Sequence, residues 1–144
     1  MLLGEHDHTI DEKNRLTLPA KFRKSFEGGA VLTRGIDRCL AVYPRKDWER
    51  QVGSRIGELE GLSRDDRRLQ RFFFSSAAEV ELDKQGRVMV PPGLLEHAGL
   101  GREVTVAGVY DHLEIWDRAA WQAEMREVEG SAEDVAERLA GKRD

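Results

Sequence analysis

The stretch Asp11-Glu12-Lys13-Asn14-Arg15-Leu16-Thr17-Leu18-Pro19 occurs a second time, in altered form, as Asp83-Lys84-Gln85-Gly86-Arg87-Val88-Met89-Val90-Pro91. A similar order of glycine, apolar and aromatic residues follows each stretch. A match of this length predicts an internal duplication. We therefore expect two related units, residues 5–61 and 77–129, with a helical connector at 62–76 and a C-terminal helical tail at 130–144.

Each unit has the pattern of a hairpin with a tight loop, a short helix and a second hairpin. Asn14 and Gly86 hold the same loop position, and both residue types tolerate positive φ. Pro19 and Pro91 suit the first turn of a helix. The second hairpins are predicted from the β-rich runs 30–33 with 39–43 and 104–106 with 113–116. A ββαββ unit this small buries little core by itself, so we predict an α+β fold in which the two copies pair about a pseudo-twofold axis.

Amphipathic helices are predicted to close each unit, because apolar residues recur at helical spacing. These residues are Trp48, Val52, Ile56 and Leu59 in the first copy and Trp121, Met125 and Val128 in the second. The aromatic positions repeat with the fold rather than with any loop, which favours a packing role. Ser63 is a candidate cap for a further helix in the connector.

The net charge of −4 conceals a difference between the two halves of the chain. Residues 1–72 carry +3 and residues 73–144 carry −7, counting Lys and Arg against Asp and Glu. The basic excess is concentrated in residues 11–24, which are locally +3. A charge run is often only a solvated surface, but this one includes the first repeated loop.

The paired Asp-x-x-x-Arg loops are the candidate nucleic-acid site. Arginine can bond guanine O6 and N7, amide side chains can read adenine, and lysine suits phosphate. The candidate DNA-binding residues are Lys13, Asn14, Arg15, Lys84, Gln85 and Arg87. Asp11 and Asp83 are assigned to orienting the loops, because a carboxylate would repel phosphate. An alternative stays open, in which each arginine only staples its own hairpin by pairing with the aspartate.

The local charge of residues 11–24 leads us to expect that the first loop contributes more to binding than the second.

The sequence resembles the MraZ family in Leu3-Gly4-Glu5, in residues 10–23 and in the second loop, and the resemblance covers nearly the whole chain. It implies that each half is a SpoVT–AbrB-type domain and that the two copies form a swapped-hairpin β-barrel with flanking helices. It also implies a sequence-specific transcriptional regulator of the cell division and cell wall gene cluster. Such a regulator would bind double-stranded DNA repeats in its own promoter as a ring-shaped homo-oligomer, with eight subunits as a candidate number. Asn14 departs from the glycine usual in the family and adds a side chain near the expected DNA contact.

The sequence offers no support for catalysis. It lacks the P-loop, dinucleotide-binding, nucleophile-elbow and zinc-protease motifs, and Cys39 has no second cysteine for a disulfide or a zinc site. We expect no catalytic residues, no cofactor, no metal and no small-molecule substrate. No apolar run approaches the roughly 20 residues that span a bilayer, and the N-terminus turns polar too early for a signal peptide. We therefore expect a cytoplasmic, nucleoid-associated protein with no membrane partner.

Two other functions stay open. The first is a self-assembling ring scaffold that acts through protein contacts, for which Phe72-Phe73-Phe74 offers more apolar surface than one helix face can bury. That run packs either against a neighbouring subunit or wholly inside one chain. The second is an antitoxin that engages a partner through its tail, although residues 130–144 lack a large hydrophobic block.

Overall fold

A computed structural model describes residues 1–143, so the last residue of the predicted tail, Asp144, lies outside the described part. The strands and helices follow one another in an order that repeats once. They are β1 (Leu2–Thr9), β2 (Arg15–Thr17), a 3-10 helix (Ala20–Phe26), β3 (Ala30–Arg34), β4 (Leu40–Pro44), α1 (Arg45–Trp48), a π-helical turn (Glu49–Gly53), α2 (Ser54–Gly57), α3 (Arg64–Phe74), β5 (Ala78–Val80), β6 (Arg87–Met89), α4 (Pro92–Ala98), β7 (Glu103–Tyr110), β8 (Leu113–Asp117) and α5 (Arg118–Arg143).

The two copies exchange strands throughout the fold. The larger sheet has the order β1-β7-β8-β4-β3-β5, and β2 pairs with β6 in a second sheet. All of the pairings described are antiparallel. The first strand of each copy lies against the third strand of the other, since β1 pairs with β7 and β5 pairs with β3. The duplication therefore produces one shared domain in place of two separate ones.

The predicted α+β class is confirmed, and the finer prediction of a closed barrel is not. β1 and β5 form the two edges of the larger sheet, and β2 and β6 form a separate pair. A single bridge, between Ile10 and Leu16, joins the end of β1 to β2. Within residues 1–143, the strands thus form two sheets around a common core.

That core is drawn from both copies. Leu16 of β2 and Val88 of β6 lie opposite each other and are fully buried. Phe22 of the 3-10 helix and Leu94 of α4 occupy equivalent places and are buried in the same cluster. The predicted helices after Pro19 and Pro91 are therefore present, and each covers the core with its apolar side.

The helical segments differ in regularity. The helix predicted after Trp48 is present as a continuous helical stretch from Arg45 to Gly57, in which α1, the π-helical turn and α2 follow one another without a gap. Gly53 and Gly57 lie in this stretch, and glycine weakens an α-helix interior, which is consistent with the local change to a π-helical turn. Ser63 caps α3 by accepting a hydrogen bond from the Asp66 amide at 3.0 Å. No helix in the described residues combines the length and the apolar character needed to cross a membrane.

Candidate nucleic-acid interface

The first loop is built around the carboxylate of Asp11. Its Oδ1 accepts hydrogen bonds from the amides of Lys13 at 2.9 Å and Arg15 at 2.8 Å. Its Oδ2 accepts from Nε of Arg15 at 2.7 Å. The Asp11 amide donates to the carbonyl of Arg15, and Asn14 holds φ at 60°. One carboxylate therefore fixes the backbone of the turn and the direction of the arginine together.

The second loop has the same geometry. Oδ1 of Asp83 accepts from the amides of Gln85 and Arg87, both at 2.9 Å. Its Oδ2 accepts from Nε of Arg87 at 2.7 Å, and Gly86 holds φ at 75°. The positive φ expected at Asn14 and Gly86 is present in both copies.

The hydrogen bonds lower the pKa of both aspartates. For Asp11 the main cause is the Arg15 amide, followed among the lowering contributions by the Arg15 side chain and the Lys13 amide. For Asp83 the same causes come from Arg87 and Gln85. The ionised form, in which the carboxylates can hold the arginines, therefore persists to lower pH than in an ordinary aspartate.

The pairing of β2 with β6 brings the two arginines onto one face. Arg15 lies opposite Met89 and Arg87 lies opposite Thr17. Residues that oppose each other point to the same side of a sheet, so these four share the outer face, while Leu16 and Val88 point into the core. Arg15 and Arg87 are diagonal neighbours, a relation that places Cα atoms roughly 7–8 Å apart.

The ladder continues beyond the strands and fixes the loops to each other. The Val90 amide donates to the Asn14 carbonyl at 2.8 Å, and the Leu18 amide donates to the Gly86 carbonyl at 2.9 Å. Because the pair is antiparallel, the loops lie at opposite ends of one ribbon with the arginines between them. The ribbon presents Lys13 at one end and Lys84 at the other, and both are exposed.

Each guanidinium donates one hydrogen bond through Nε to an aspartate, and this bond orients it. In the described hydrogen bonds of Arg15 and Arg87, the side-chain donor is Nε. The side chains are 28% and 25% exposed. The hairpin staple of the alternative interpretation is thus present, and it engages only Nε of each guanidinium. A bidentate contact to a base edge can use the terminal nitrogens, so stapling and base reading are chemically compatible.

The two loops differ in the side chain that lies next to the turn residue. The Arg23 side chain covers Gly86, where an added Cβ would lie 2.3 Å from Nε of Arg23. That Nε also donates to the Leu18 carbonyl at 3.1 Å. Beside the first loop, Leu95 lines the hollow next to Asn14. A side chain at position 86 would displace Arg23, whereas position 14 carries its asparagine beside an aliphatic neighbour.

The basic residues of segment 11–24 are divided between the two loops. Arg23 and Lys24 line the surface beside the second loop together with Lys84. The first loop instead neighbours Arg102, whose guanidinium lies 3.7 Å from the carboxylate of Glu12. The sequence-based reason for ranking the first loop above the second therefore does not hold, because strand exchange places that charge beside the other copy's loop.

Sequence reasoning did not single out Thr17 and Met89, which share the outer face with Arg15 and Arg87. Met89 is 56% exposed between the buried Val88 and Val90. The stretch Val88-Met89-Val90 could have predicted this exposure, because alternate residues of a strand point to opposite faces and the middle residue therefore points away from the core. An exposed methionine beside both arginines, opposite Arg15 and two residues from Arg87 on its own strand, offers an apolar contact such as the methyl group of thymine accepts.

Comparison with known proteins identifies the group to which this chain is similar. The family model described as "MraZ protein, putative antitoxin-like" matches residues 1–72 and again 73–143. Relatives named "Transcriptional regulator MraZ" come from Roseiflexus castenholzii, at 44% identity over 140 residues, and Thermomicrobium roseum, at 45% over 142 residues. A third, from Roseiflexus sp., is 43% identical over 140 residues. These alignments cover 97% of this chain and 97–98% of each relative. The family model matches both halves of the chain, and the named relatives are 43–45% identical over nearly their full length, so the chain belongs to the MraZ family.

Proposed function

We propose that this protein is a sequence-specific, DNA-binding transcriptional regulator. The observation that carries the proposal is the placement of Arg15 and Arg87 on one outer face, each oriented through Nε by an aspartate. Oriented arginines in an exposed β-ribbon suit the major groove, which admits a two-stranded ribbon. The relatives named as transcriptional regulators support the same role.

The division of labour within the face follows from chemistry. Arg15 and Arg87 contact guanine edges, and the amides of Asn14 and Gln85 contact neighbouring bases. Lys13 and Lys84, at the two ends of the ribbon, contact phosphates. Asp11 and Asp83 position the arginines and do not themselves touch DNA, since a carboxylate beside a phosphate is repelled.

The proposed target and assembly rest on the family resemblance and on the surface of the chain. We propose that the DNA consists of repeats in the chain's own promoter, within the cell division and cell wall gene cluster, and that the protein is cytoplasmic and nucleoid-associated. A ring-shaped homo-oligomer would present several ribbons to these repeats. Unlike faces on one chain favour heterologous contacts, which close into a ring when the rotation per subunit allows. Exposed apolar residues available for such contacts include Ile36, Phe74 and Tyr110. The units 5–61 and 77–129, the connector 62–76 and the tail 130–144 remain our proposed division of the chain.

Fluorescence anisotropy with a labelled duplex from the chain's own upstream region tests the proposal. The wild-type protein should bind this duplex more tightly than a scrambled one, and log K should fall with log salt at about −0.9 per phosphate neutralised. Replacing both arginines, Arg15→Ala with Arg87→Ala, should abolish the preference for the upstream sequence. The matched control, Arg68→Ala with Arg126→Ala, removes the same charge from exposed positions on α3 and α5 and should retain that preference.

Two outcomes would contradict this function. Equal affinity of the wild-type protein for upstream and scrambled duplexes would remove sequence-specific binding. Assembly seen by light scattering without measurable DNA binding would instead favour the scaffold function. A light-scattering measurement of a monomer would contradict the proposed ring and leave the DNA-binding proposal unaffected.

A further inference from the structure

The second half of α5 extends away from the body of the protein. Every side chain from 132 to 142 is exposed, and residues 130–142 of a helix span about 20 Å. Gly130 lies in the interior of this helix, where glycine costs about 1 kcal/mol relative to alanine. A short isolated helix is marginal in water without packing against a partner. The sequence therefore carries a helix whose outer half requires another surface.

A narrow apolar stripe marks the side that such a partner would cover. Its members are separated alternately by four and three residues, the spacing of a two-helix seam. They are Trp121, Met125, Val128, Ala132, Val135 and Leu139. Trp121 packs against Trp116 on the body, with ring centroids 5.7 Å apart. Val128, Val135 and Leu139 remain 42%, 37% and 54% exposed. The stripe that attaches the helix to the sheet thus continues beyond the sheet, and no surface formed by residues 1–142 covers it.

Charge along the same helix is arranged in two blocks. Residues 124–134 contain five acids and one arginine, whereas residues 135–143 contain one acid and three basic residues. Parallel alignment with a copy of itself would place acid beside acid and base beside base. Antiparallel alignment places the basic end, which includes Arg138 and Lys142, beside the acidic segment of the other helix. The helix is therefore electrostatically complementary to itself in one direction only.

We propose that the outer half of α5 pairs antiparallel with α5 of a second copy of this chain. In the register that buries the whole free stripe, Val128 lies level with Leu139 of the other copy, and Ala132 lies level with Val135. The contact has twofold symmetry, unlike the heterologous contacts of a ring. It goes beyond the proposed DNA-binding function and does not depend on it.

Site-directed cross-linking of the full chain tests both the occupant and the direction. Two differently tagged copies, Val128→Cys and Leu139→Cys, are co-expressed and treated with a short bis-maleimide, in cells and after purification. The native Cys39 is 1% exposed and therefore protected. We expect a cross-link between the two different variants. We expect none between identical variants, because antiparallel pairing separates like positions by 11 residues, about 16 Å along the helix.

A matched pair of charge insertions supplies the control. In the first variant, the copy that carries Val128→Cys also carries Leu139→Glu, and the other copy carries only Leu139→Cys. The added charge lies on the stripe and should eliminate the cross-link. Ala140→Glu, introduced into the same copy, places the same charge one residue further and off the stripe, and it should leave the cross-link intact. Circular dichroism should confirm that both variants fold. Cross-linking of Val128→Cys to itself would indicate parallel pairing and overturn the proposal. Absence of any cross-link, or capture of a different protein in cells in place of the second copy, would also overturn it.

Discussion

The two Asp-x-x-x-Arg loops are nearly identical in their internal geometry and different in their surroundings. Both hold the arginine Nε 2.7 Å from an aspartate oxygen, and both lower the pKa of that aspartate. Arg23 covers the second loop, however, and Leu95 lies beside the first. Since strands are exchanged between the copies, each loop borders the short helix of the other copy. A local motif can therefore be duplicated faithfully while its electrostatic environment is set elsewhere in the sequence.

The largest expected effect is the loss of specific DNA affinity when either arginine is replaced, and its size should differ between the two. Arg15→Ala and Arg87→Ala should each lower specific DNA affinity by roughly 1–3 kcal/mol and relax sequence preference. We expect the greater loss for Arg87→Ala, because the cations Arg23, Lys24 and Lys84 outnumber the acid Glu27 around the second loop, whereas Arg102 beside the first loop lies against Glu12. Anisotropy titrations of the two single variants against the upstream duplex measure this ranking. A greater loss for Arg15→Ala would show that the flanking charges do not determine it.

An exchange of the turn residues tests whether the surroundings constrain the sequence of each loop. Gly86→Asn should displace Arg23 from the Leu18 carbonyl and destabilise the fold by about 1 kcal/mol, the typical value of one hydrogen bond. Asn14→Gly should change stability by no more than about 0.5 kcal/mol. Chemical denaturation measures both effects. In an Arg23→Ala background the cost of Gly86→Asn should largely disappear; an unchanged cost would mean that Arg23 is not its cause.

The terminal lysines should behave alike, in contrast to the arginines. Lys13→Ala and Lys84→Ala each remove one exposed cation from an end of the ribbon. Each should weaken binding to upstream and scrambled duplexes equally and reduce the salt slope by about one unit. Titrations at several salt concentrations measure the slope. A loss of sequence preference in either lysine variant would assign base contact to that lysine.

The smallest expected effect is a shared response to acid. Because the folded-state pKa of Asp11 and Asp83 is lowered, their contribution to stability is present above the ordinary carboxyl pKa and is lost as pH falls through the lowered value. Both loops should therefore keep their hydrogen bonds at pH 5. NMR titration of the two carboxyl carbons should give midpoints below the ordinary 3.8. A midpoint at or above that value for one loop would mean that its aspartate is not held as the other is.

Much of the fold could be predicted because its signals are local. The positive φ at Asn14 and Gly86, the helices after Pro19 and Pro91 and the cap at Ser63 each depend on residue types close in sequence. The duplication also indicated that the copies would share one core. These features follow from backbone preferences and hydrophobic periodicity, which a single sequence contains.

The arrangement around the site could not be predicted in the same way. The contact of Arg23 with Gly86 joins residues from different copies and depends on the exchange of strands. The charge count over residues 11–24 assigned Arg23 to the nearer loop in sequence, which was wrong in space. The same non-local pairing of β2 with β6 brings Met89 opposite Arg15 on the outer face. Register between distant strands is set by packing, and no short stretch of sequence specifies it.

The central claim is that the stapled arginines also read DNA, and one sample tests it directly. Thermal unfolding and specific-duplex affinity are measured on the same preparation of Arg87→Ala, beside the wild-type protein. The account predicts a loss of specific affinity of roughly 1–3 kcal/mol, with binding to the scrambled duplex nearly unchanged and only a small change in melting temperature, because an exposed ion pair adds little stability. A clear fall in melting temperature with unchanged specific affinity would contradict it, because the arginine would then act only as a staple for its own hairpin.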